Sequence, residues 1–386
     1  MNLPRKTILA FCCVGMVQVS LAIAAPAMLV TPAGAMFRMS TVQQGLFLSA
    51  APWGLALATL IVGPLADRVG LRPLLVAGAV LEAAGLAIIW RADGQGAAIS
   101  GAAVLGTGAG LTDPLLTPLV CALYPDRRTR VSNLLHSFYP VGLIVTTGLM
   151  ILLMNRGWAW QDVSLATAAL AIPAALAMLV LPLPAQTHEG AHRMGVRRII
   201  GRGAFLLLVA TIFMGGVTEL GPSSWLPAMV QEAAGGTRTQ GGLGLMAFGA
   251  IMAVGRFSST AIVHRIGPRL LFVLGGAVCV AGLLLAALPL GAFNTILWLS
   301  VVGFGVAGFW PTVLGCAGDR FPQAGASMYS VLSAVGNFGG VVGPMAIGLA
   351  AKSFGLQAGV ALLAVAPLAA VVCFSLAGRS KAKREE

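Results

Sequence analysis

The chain has 386 residues, of which 58% are hydrophobic and only 9% are charged. A soluble domain carries about a quarter charged residues, so this composition excludes an ordinary soluble protein and indicates an integral membrane protein. In a soluble protein the formal net charge of +12 would suggest a nucleic-acid partner.

Apolar runs follow one another along the whole chain, each near the ~20 residues that a bilayer crossing needs. They predict an all-α integral membrane protein with twelve transmembrane helices. The first run has a basic start and small residues, as signal peptides do, but its length favours a retained helix. The six cysteines lie in or beside these runs without paired spacing, which indicates apolar filling residues. The predicted spans are 7–31, 44–66, 71–91, 96–122, 132–154, 162–183, 203–227, 240–262, 269–289, 294–316, 325–350 and 357–378.

The longest link between spans is the polar, basic segment 184–202. It divides the chain into a predicted N-terminal bundle of six helices, 1–183, and a C-terminal bundle of six, 203–386. With both termini in the cytoplasm, most lysines and arginines fall on the inner side, as the positive-inside rule requires. The net charge is therefore a topology signal, and we predict a multi-pass protein of the cell (inner) membrane with no nucleic-acid partner.

The loop between the second and third spans belongs to an internal repeat. Shifted by about 197 residues, "DRVGLRPLL" (67–75) falls on "HRIGPRLL" (264–271). The same offset places "YP" (124–125) on "FP" (321–322) and Asp113-Pro114 on Trp310-Pro311. One offset that holds across several loops and helices predicts two homologous, pseudo-symmetric halves, an architecture that transporters use for alternating access.

At "GPLADRVGLRP" (63–73) the sequence resembles the signature loop of the major facilitator superfamily. The resemblance implies that family's fold, a monomer, and a cytoplasmic latch in which Gly63 lets helices approach closely. The second copy has His264 where the first has Asp67, so its latch is expected to differ. The implied latch residues are Gly63, Asp67, Arg68, Gly70, Arg72, Arg265 and Arg269.

Acidic residues occur in the third and fourth predicted spans, where a charge costs roughly 2.5–3.5 kcal/mol or more. Glu82 lies in the third span, and we expect it to make a structural contact. Asp113 lies in "GTGAGLTDPLLTPLV" (106–120), amid small, apolar and hydroxylic residues. It is predicted to be the proton-coupling site, and the alternative is a structural carboxylate bonded to a neighbouring helix.

The fourth and fifth spans resemble those of the fucose-permease-like branch. The resemblance lies in "TDPLLTPLV" and in "YPDRRTRVSNLLHSFYPVG" (124–142). This resemblance implies that Asp113 handles protons and that Asn133 and Phe138 bind substrate. The first span lacks the second acid that sugar symporters of that branch carry. His136 opens the fifth span, either as a proton relay or as a hydrogen-bonding residue at a helix end.

Two further charged residues lie in the seventh and eighth predicted spans. Glu219 precedes Pro222 and Pro227, which break the helix, and it is predicted to bind substrate or a proton or to clasp the other half. Arg256 has three alternatives: it clamps an anionic substrate, neutralises an acid, or snorkels to an interface.

Aromatic and amide side chains complete the predicted substrate site. Aromatic faces suit sugars and amphipathic solutes, and packing or an interfacial belt is the alternative for each ring. The predicted substrate-binding set is Arg256, Trp310, Trp225, Phe138, Tyr139, Asn133, Asn337 and Trp53, and the predicted proton-coupling set is Asp113, Glu219 and His136.

These features favour a proton-coupled symporter of a small polar solute, a sugar or an organic anion. The first alternative is a drug or metabolite exporter, although the fifth span lacks the glycine-proline motif common in antiporters of the superfamily. The second is a non-transporting sensor or assembly partner. We expect no enzyme activity, no cofactor and no metal, and as partners only a small-molecule substrate, protons and the lipid bilayer.

Overall fold

The computed structural model describes residues 5–124, 128–180, 201–321 and 324–379, and these residues form helices joined by short turns, without a strand. The all-helical prediction is therefore confirmed. The predicted linker falls outside the described residues, apart from 201 and 202.

The N-terminal helices, α1 to α8, occupy residues 5–180. A turn at Ser20 divides the first predicted span into α1 and α2, and the Ser20 hydroxyl donates a 2.7 Å hydrogen bond to the carbonyl of Val17. A short turn, Ala169–Ala171, interrupts the sixth predicted span. The helices are α1 (Arg5–Val19), α2 (Leu21–Phe37), α3 (Thr41–Val69), α4 (Leu71–Trp90), α5 (Gln95–Leu123), α6 (Arg128–Asn155), α7 (Trp160–Ala168) and α8 (Ile172–Val180).

The C-terminal helices, α9 to α14, occupy residues 203–379. A π-helical turn, Met229–Ala233, continues the first of them. Two of these helices carry a single glycine with positive φ at which the chain turns into the next span, Gly267 and Gly355. The helices are α9 (Gly203–Ala228), α10 (Arg238–Ala286), α11 (Ala292–Val306), α12 (Phe309–Arg320), α13 (Gly325–Leu362) and α14 (Val365–Arg379).

Ten helical segments within the described residues are long and apolar enough to cross a bilayer. The longest, Met328–Arg379, bends at Gly355 and corresponds to two predicted spans. The sixth predicted span is absent from the ten because α7 and α8 are short and separated. The count of twelve crossings therefore stays a prediction, whereas an all-helical, multi-pass architecture is established.

The beginnings of α3 and α10 have the same capping structure. The Ser40 hydroxyl accepts from the backbone N–H of Gln43, and the Gln43 side chain accepts from the backbone N–H of Ser40. Thr237 and Gln240 make the same reciprocal pair at the start of α10. Such capping boxes satisfy backbone donors that a helix start leaves free. The two boxes are related by the offset of the internal repeat. We call this end of the molecule the Ser40 end.

The glycines at the opposite end of these two spans also match. Gly70 has a φ of 84° and Gly267 a φ of 80°, a left-handed conformation that glycine adopts without steric cost. Gly63 makes no close helix contact in the state described. A Cβ atom there would meet no described atom within 4 Å, so its role in the latch stays a prediction.

Close contacts between helices occur instead at glycines inside the bundle. A Cβ atom at Gly106 of α5 would collide with the backbone carbonyl of Ala51 in α3. Gly216 of α9 meets the backbone of Gly336 in α13 in the same way. Small residues let helix backbones approach in a bilayer, where packing drives helix association.

Two seams related by the internal repeat join the N-terminal to the C-terminal helices, and α2 also contacts α9. In the first, α3 runs antiparallel to α13 near the Ser40 end. The contacts along it are Gly45 with Gly348, the Ser49 hydroxyl donating to the carbonyl of Val341 at 2.8 Å, and the Trp53 ring edge-on to Phe338 at 5.3 Å.

The second seam joins α6 to α10, which also run antiparallel. It is related to the first by the offset of the internal repeat. From the Ser40 end inward, the contacts are Asn155 with the Thr239 hydroxyl at 3.1 Å, Ile151 with Gly242, Gly148 with Met246, and Pro140 with Gly249.

Candidate substrate and proton site

Three of the predicted ionisable residues lie at one depth in the molecule. Asp113 is about 27 Å from the Ser40 end of α5, at about 1.5 Å per residue. By the same count His136 in α6 and Arg256 in α10 lie about 27–29 Å from the corresponding helix ends. Different helices from both parts of the chain therefore bring these groups to one level.

Arg256 is the centre of this group. Its Nη1 donates to the backbone carbonyl of His136 at 3.0 Å, and its Nη2 lies 3.4 Å from Oε1 of Glu219. The guanidinium carbon also lies 5.9 Å from the centre of the Tyr139 ring, within the range of a cation–π contact. Of the three predicted arrangements for Arg256, the structure shows the ion pair with an acid. Snorkelling is not observed, because only 17% of the side chain is exposed and its contacts are internal.

Asp113 and Glu219 both belong to the electrostatic surroundings of Arg256. Asp113 lies within electrostatic range of the guanidinium, and both acids lie within electrostatic range of Tyr139. Two carboxyl groups against one guanidinium leave one negative charge in excess when all three are ionised. We name Asp113, His136, Tyr139, Glu219 and Arg256 the Arg256 cluster.

Thr117 ties His136 to the helix of Asp113. The hydroxyls of Thr107 and Thr112 donate to carbonyls four residues earlier in α5. The Thr117 hydroxyl, one turn beyond Asp113, instead lies 3.0 Å from Nε2 of His136. The predicted placement of His136 at a helix end is therefore wrong, because its ring contacts another helix in the interior.

An amide and two rings lie on or beside α13. Nδ2 of Asn337 is buried and has no hydrogen-bond partner among the described residues. The neighbouring Gly336 packs against the ring of Trp310. Trp53 remains 45% exposed beside Phe338 at the α3–α13 seam. A buried amide with a free donor can bind the hydroxyl or carbonyl of a polar solute.

Trp225 does not join this set. The side chain is fully buried within α9, and its indole N–H donates to the carbonyl of Pro344 at 2.9 Å. Its hydrogen-bonding capacity is already satisfied inside the C-terminal helices. A substrate contact of Trp225 therefore stays a prediction, and in the state described this side chain has a packing role.

The remaining predicted residues are placed as follows. Phe138 is partly buried and packs against the apolar cluster of α1, α3, α4 and α5. The side chains of Asn133 and Asp67 lie outside the described part of the structure. The four predicted latch arginines are exposed at the end opposite Ser40, namely Arg68, Arg72, Arg265 and Arg269.

Two residues of the site were missed from sequence, Thr117 and Pro140. Both stand four residues after a predicted site residue, Thr117 after Asp113 and Pro140 after His136. Residues four apart lie on the same face of a helix, so Thr117 is beside Asp113. A proline at the later position has no N–H, so the carbonyl four residues before it loses its intrahelical donor. The spacing was therefore a usable signal.

Comparison with known proteins gives matches over most of the chain. The sequence model of the Major Facilitator Superfamily matches residues 7–326. An uncharacterised MFS-type transporter of Yersinia pestis is 26% identical over 338 residues, 86% of this chain and 86% of that protein. Multidrug resistance protein MdtH of Aeromonas hydrophila subsp. hydrophila is 32% identical over 185 residues, 46% of this chain and 45% of that protein.

A solved structure has the same overall fold. It is the crystal structure of a bacterial homologue to the human lysosomal transporter Spinster, in an inward-facing and occupied conformation. It superposes with a TM-score of 0.79 over 99% of this chain and 98% of that chain, at 15% identity. At that identity the likeness establishes the fold alone.

Proposed function

The chain belongs to the Major Facilitator Superfamily, and we propose that it moves a small polar solute across the membrane by proton-coupled alternating access. It is a multi-pass membrane transporter and not an enzyme. Proton coupling, the class of solute and the residues that bind it are the proposal.

The observation that carries the proposal is the composition of the Arg256 cluster. It holds two acids, one arginine and a histidine in the membrane interior, and its members come from helices on both sides of a seam. Ionisable groups at such depth are costly and are typical of ion and substrate pathways. Protonation of one acid removes the excess negative charge, so a proton changes the charge that a passing solute meets.

We propose that Asp113 and Glu219 exchange protons while the solute binds beside Asn337, Trp310 and Trp53. The unpartnered amide of Asn337 supports a polar solute. The leading form is symport of a sugar or an organic anion, with the fucose-permease-like branch proposed on the resemblance around Asp113. When both acids carry protons, Arg256 leaves a net positive charge that suits an anion.

The architecture of the proposal is two bundles, 1–183 and 203–386, that rock about the cluster, with both termini in the cytoplasm. The two antiparallel seams support this division because the repeat offset relates one to the other. We further propose that the exposed latch arginines lie on the cytoplasmic side of the inner membrane, and that the protein works as a monomer.

Proton-coupled export is a second candidate function, which two observations favour. One relative over nearly half of the chain is a multidrug resistance protein. The excess negative charge of the fully ionised cluster also suits exchange of one proton for one cationic solute. Import and export differ in the sign of the proton flux that accompanies the solute.

The test uses purified protein in liposomes that contain a pH-sensitive dye. Sugars, carboxylates, amino acids and cationic drugs are added in turn to wild type, Asp113→Asn and Glu232→Gln. Glu232 is an exposed acid beyond α9 and is the matched control. We expect one solute class to move protons in wild type and in Glu232→Gln but not in Asp113→Asn. Solute uptake without proton movement in wild type would contradict the proposal.

A further inference from the structure

The hydrogen bond between Arg256 and α6 exists at a carbonyl that a proline leaves free. In an α-helix each carbonyl accepts from the N–H four residues later. The residue four positions after His136 is Pro140, which has no N–H. The carbonyl of His136 therefore lacks its intrahelical donor, and Nη1 of Arg256 donates to it at 3.0 Å. A buried carbonyl without a donor is costly, so the guanidinium stabilises a site that Pro140 creates.

This bond continues the α6–α10 seam inward from the Ser40 end. The neighbouring contact of this seam, nearer the Ser40 end, is that of Gly249 in α10 with the carbonyl of Pro140. Gly249 and Arg256 are two helical turns apart and therefore share a face of α10. The proline thus affects both contacts. Gly249 permits close approach to the Pro140 carbonyl, and Arg256 supplies the donor that the His136 carbonyl lacks, one turn farther along α6.

The two nitrogens of Arg256 have partners of different kinds. Nη1 bonds to a backbone carbonyl, whose charge does not change, and Nη2 pairs with Glu219, whose charge changes when it binds a proton. Protonation of Glu219 weakens only the second contact. The first contact keeps the guanidinium on α6, near Asp113, in both protonation states.

We propose that Pro140 is a positioning residue that holds Arg256 on α6 through the freed carbonyl of His136. The N-terminal and C-terminal helices are thereby joined at the Arg256 cluster independently of the charge on Glu219. The consequence for coupling rests on the proposed function, because it lets Arg256 act on Asp113 after Glu219 takes a proton. The contact itself can be tested without transport.

The decisive experiment compares two replacements that share a side chain. Pro140→Ala restores the N–H and returns an intrahelical donor to His136. Replacement of Pro140 by lactic acid, through nonsense suppression, gives the same methyl side chain with an ester oxygen and no N–H. Spin labels at Leu134→Cys and Ile262→Cys, exposed positions of α6 and α10 beyond the bond, report the distance between the helices in nanodiscs. The native cysteines are replaced in all variants.

We expect the lactic acid variant to give the wild-type distances at acidic and at alkaline pH. Pro140→Ala is expected to raise the fraction of separated helices about tenfold, the effect of losing one hydrogen bond to a charged group. The increase should be largest at acidic pH, where the pair with Glu219 is also lost. In an Arg256→Gln background, Pro140→Ala should have no further effect, because both changes remove the same bond.

Equal behaviour of the alanine and lactic acid variants would overturn the proposal, since the proline ring and not the freed carbonyl would then matter. Pro52→Ala, which removes a proline from α3, is the control. If it separated α6 from α10 as much as Pro140→Ala does, the proposal would also be overturned. These distances require neither a solute nor a proton gradient. A protein that shows the expected distances but moves no protons would contradict the proposed function and leave the role of Pro140 intact.

Discussion

Arg256 is the residue on which most of the polar contacts of the candidate site converge. Its guanidinium contacts a backbone carbonyl, a carboxylate and an aromatic ring, each from a different part of the chain or of a helix. Five donors in a planar fork allow one arginine to hold several partners, which a lysine ammonium does not do with the same geometry. Substitution of Arg256 by lysine is therefore not conservative at this site.

Glu82 illustrates the opposite case, a buried acid outside the Arg256 cluster. It is fully buried in α4, lies beside Gln18 of α1 and packs against Gly108 of α5. An ionised carboxylate is costly at a buried position without a cation beside it, so a neutral amide of the same shape should be tolerated there.

We therefore predict that Glu82→Gln, a neutral replacement of the same shape, keeps transport and changes the free energy of unfolding by less than about 1 kcal/mol. Glu82→Ala is expected to lower it by about 2–4 kcal/mol because it leaves a cavity between α4 and α5. Transport in liposomes and thermal unfolding in detergent measure the two effects. Loss of transport in a folded Glu82→Gln protein would assign Glu82 to the pathway.

The residues of the site could be predicted singly but not as a cluster. Asp113, His136, Glu219 and Arg256 are recognisable because ionisable groups are costly in apolar spans. Their meeting depends on the rotation and register of four helices, which hydropathy does not determine. For the same reason the sequence left two alternatives open for Trp225, because a tryptophan in an apolar span is equally compatible with packing.

At the scale of helices, the apolar runs predicted the interior of each span well. The fourth predicted span, 96–122, agrees with α5 to within one residue at each end. The failures occur where the turn between spans is a single glycine, as at Gly267, or where a short turn divides a span, as in the sixth. One glycine in a left-handed conformation carries too little sequence information to reveal whether a helix ends there.

Glycine contacts predict which helices tolerate a methyl group. Gly106→Ala should lower the free energy of unfolding by about 1–3 kcal/mol, because the new methyl group collides with the Ala51 carbonyl. Gly63→Ala should be neutral or stabilising by up to about 1 kcal/mol, since it meets open space and alanine favours helix. Thermal unfolding of both variants in one detergent checks this, and the reverse order of stability would contradict the packing described.

At the scale of the whole molecule, the α3–α13 seam must separate if the protein works by alternating access. A disulfide between Ser49→Cys and Val341→Cys, whose parent residues are hydrogen-bonded across that seam, is therefore predicted to arrest transport. Addition of a reductant should restore it. A disulfide between Leu86→Cys and Ser164→Cys is the matched control, because Ser164 donates to the carbonyl of Leu86 in the same way within one proposed bundle. Undiminished transport with the first disulfide formed would contradict rocking of the two bundles.

The central claim is that solute movement and proton movement are linked through the Arg256 cluster. The measurement that tests it most directly sets a solute gradient against an opposing pH gradient in liposomes and finds the point of zero net solute flux. Proton coupling predicts that this point shifts in proportion to the pH gradient in wild type and that the shift disappears in Asp113→Asn. A point of zero flux that remains at equal solute concentrations, whatever the pH gradient, would contradict the claim and leave uniport as the activity.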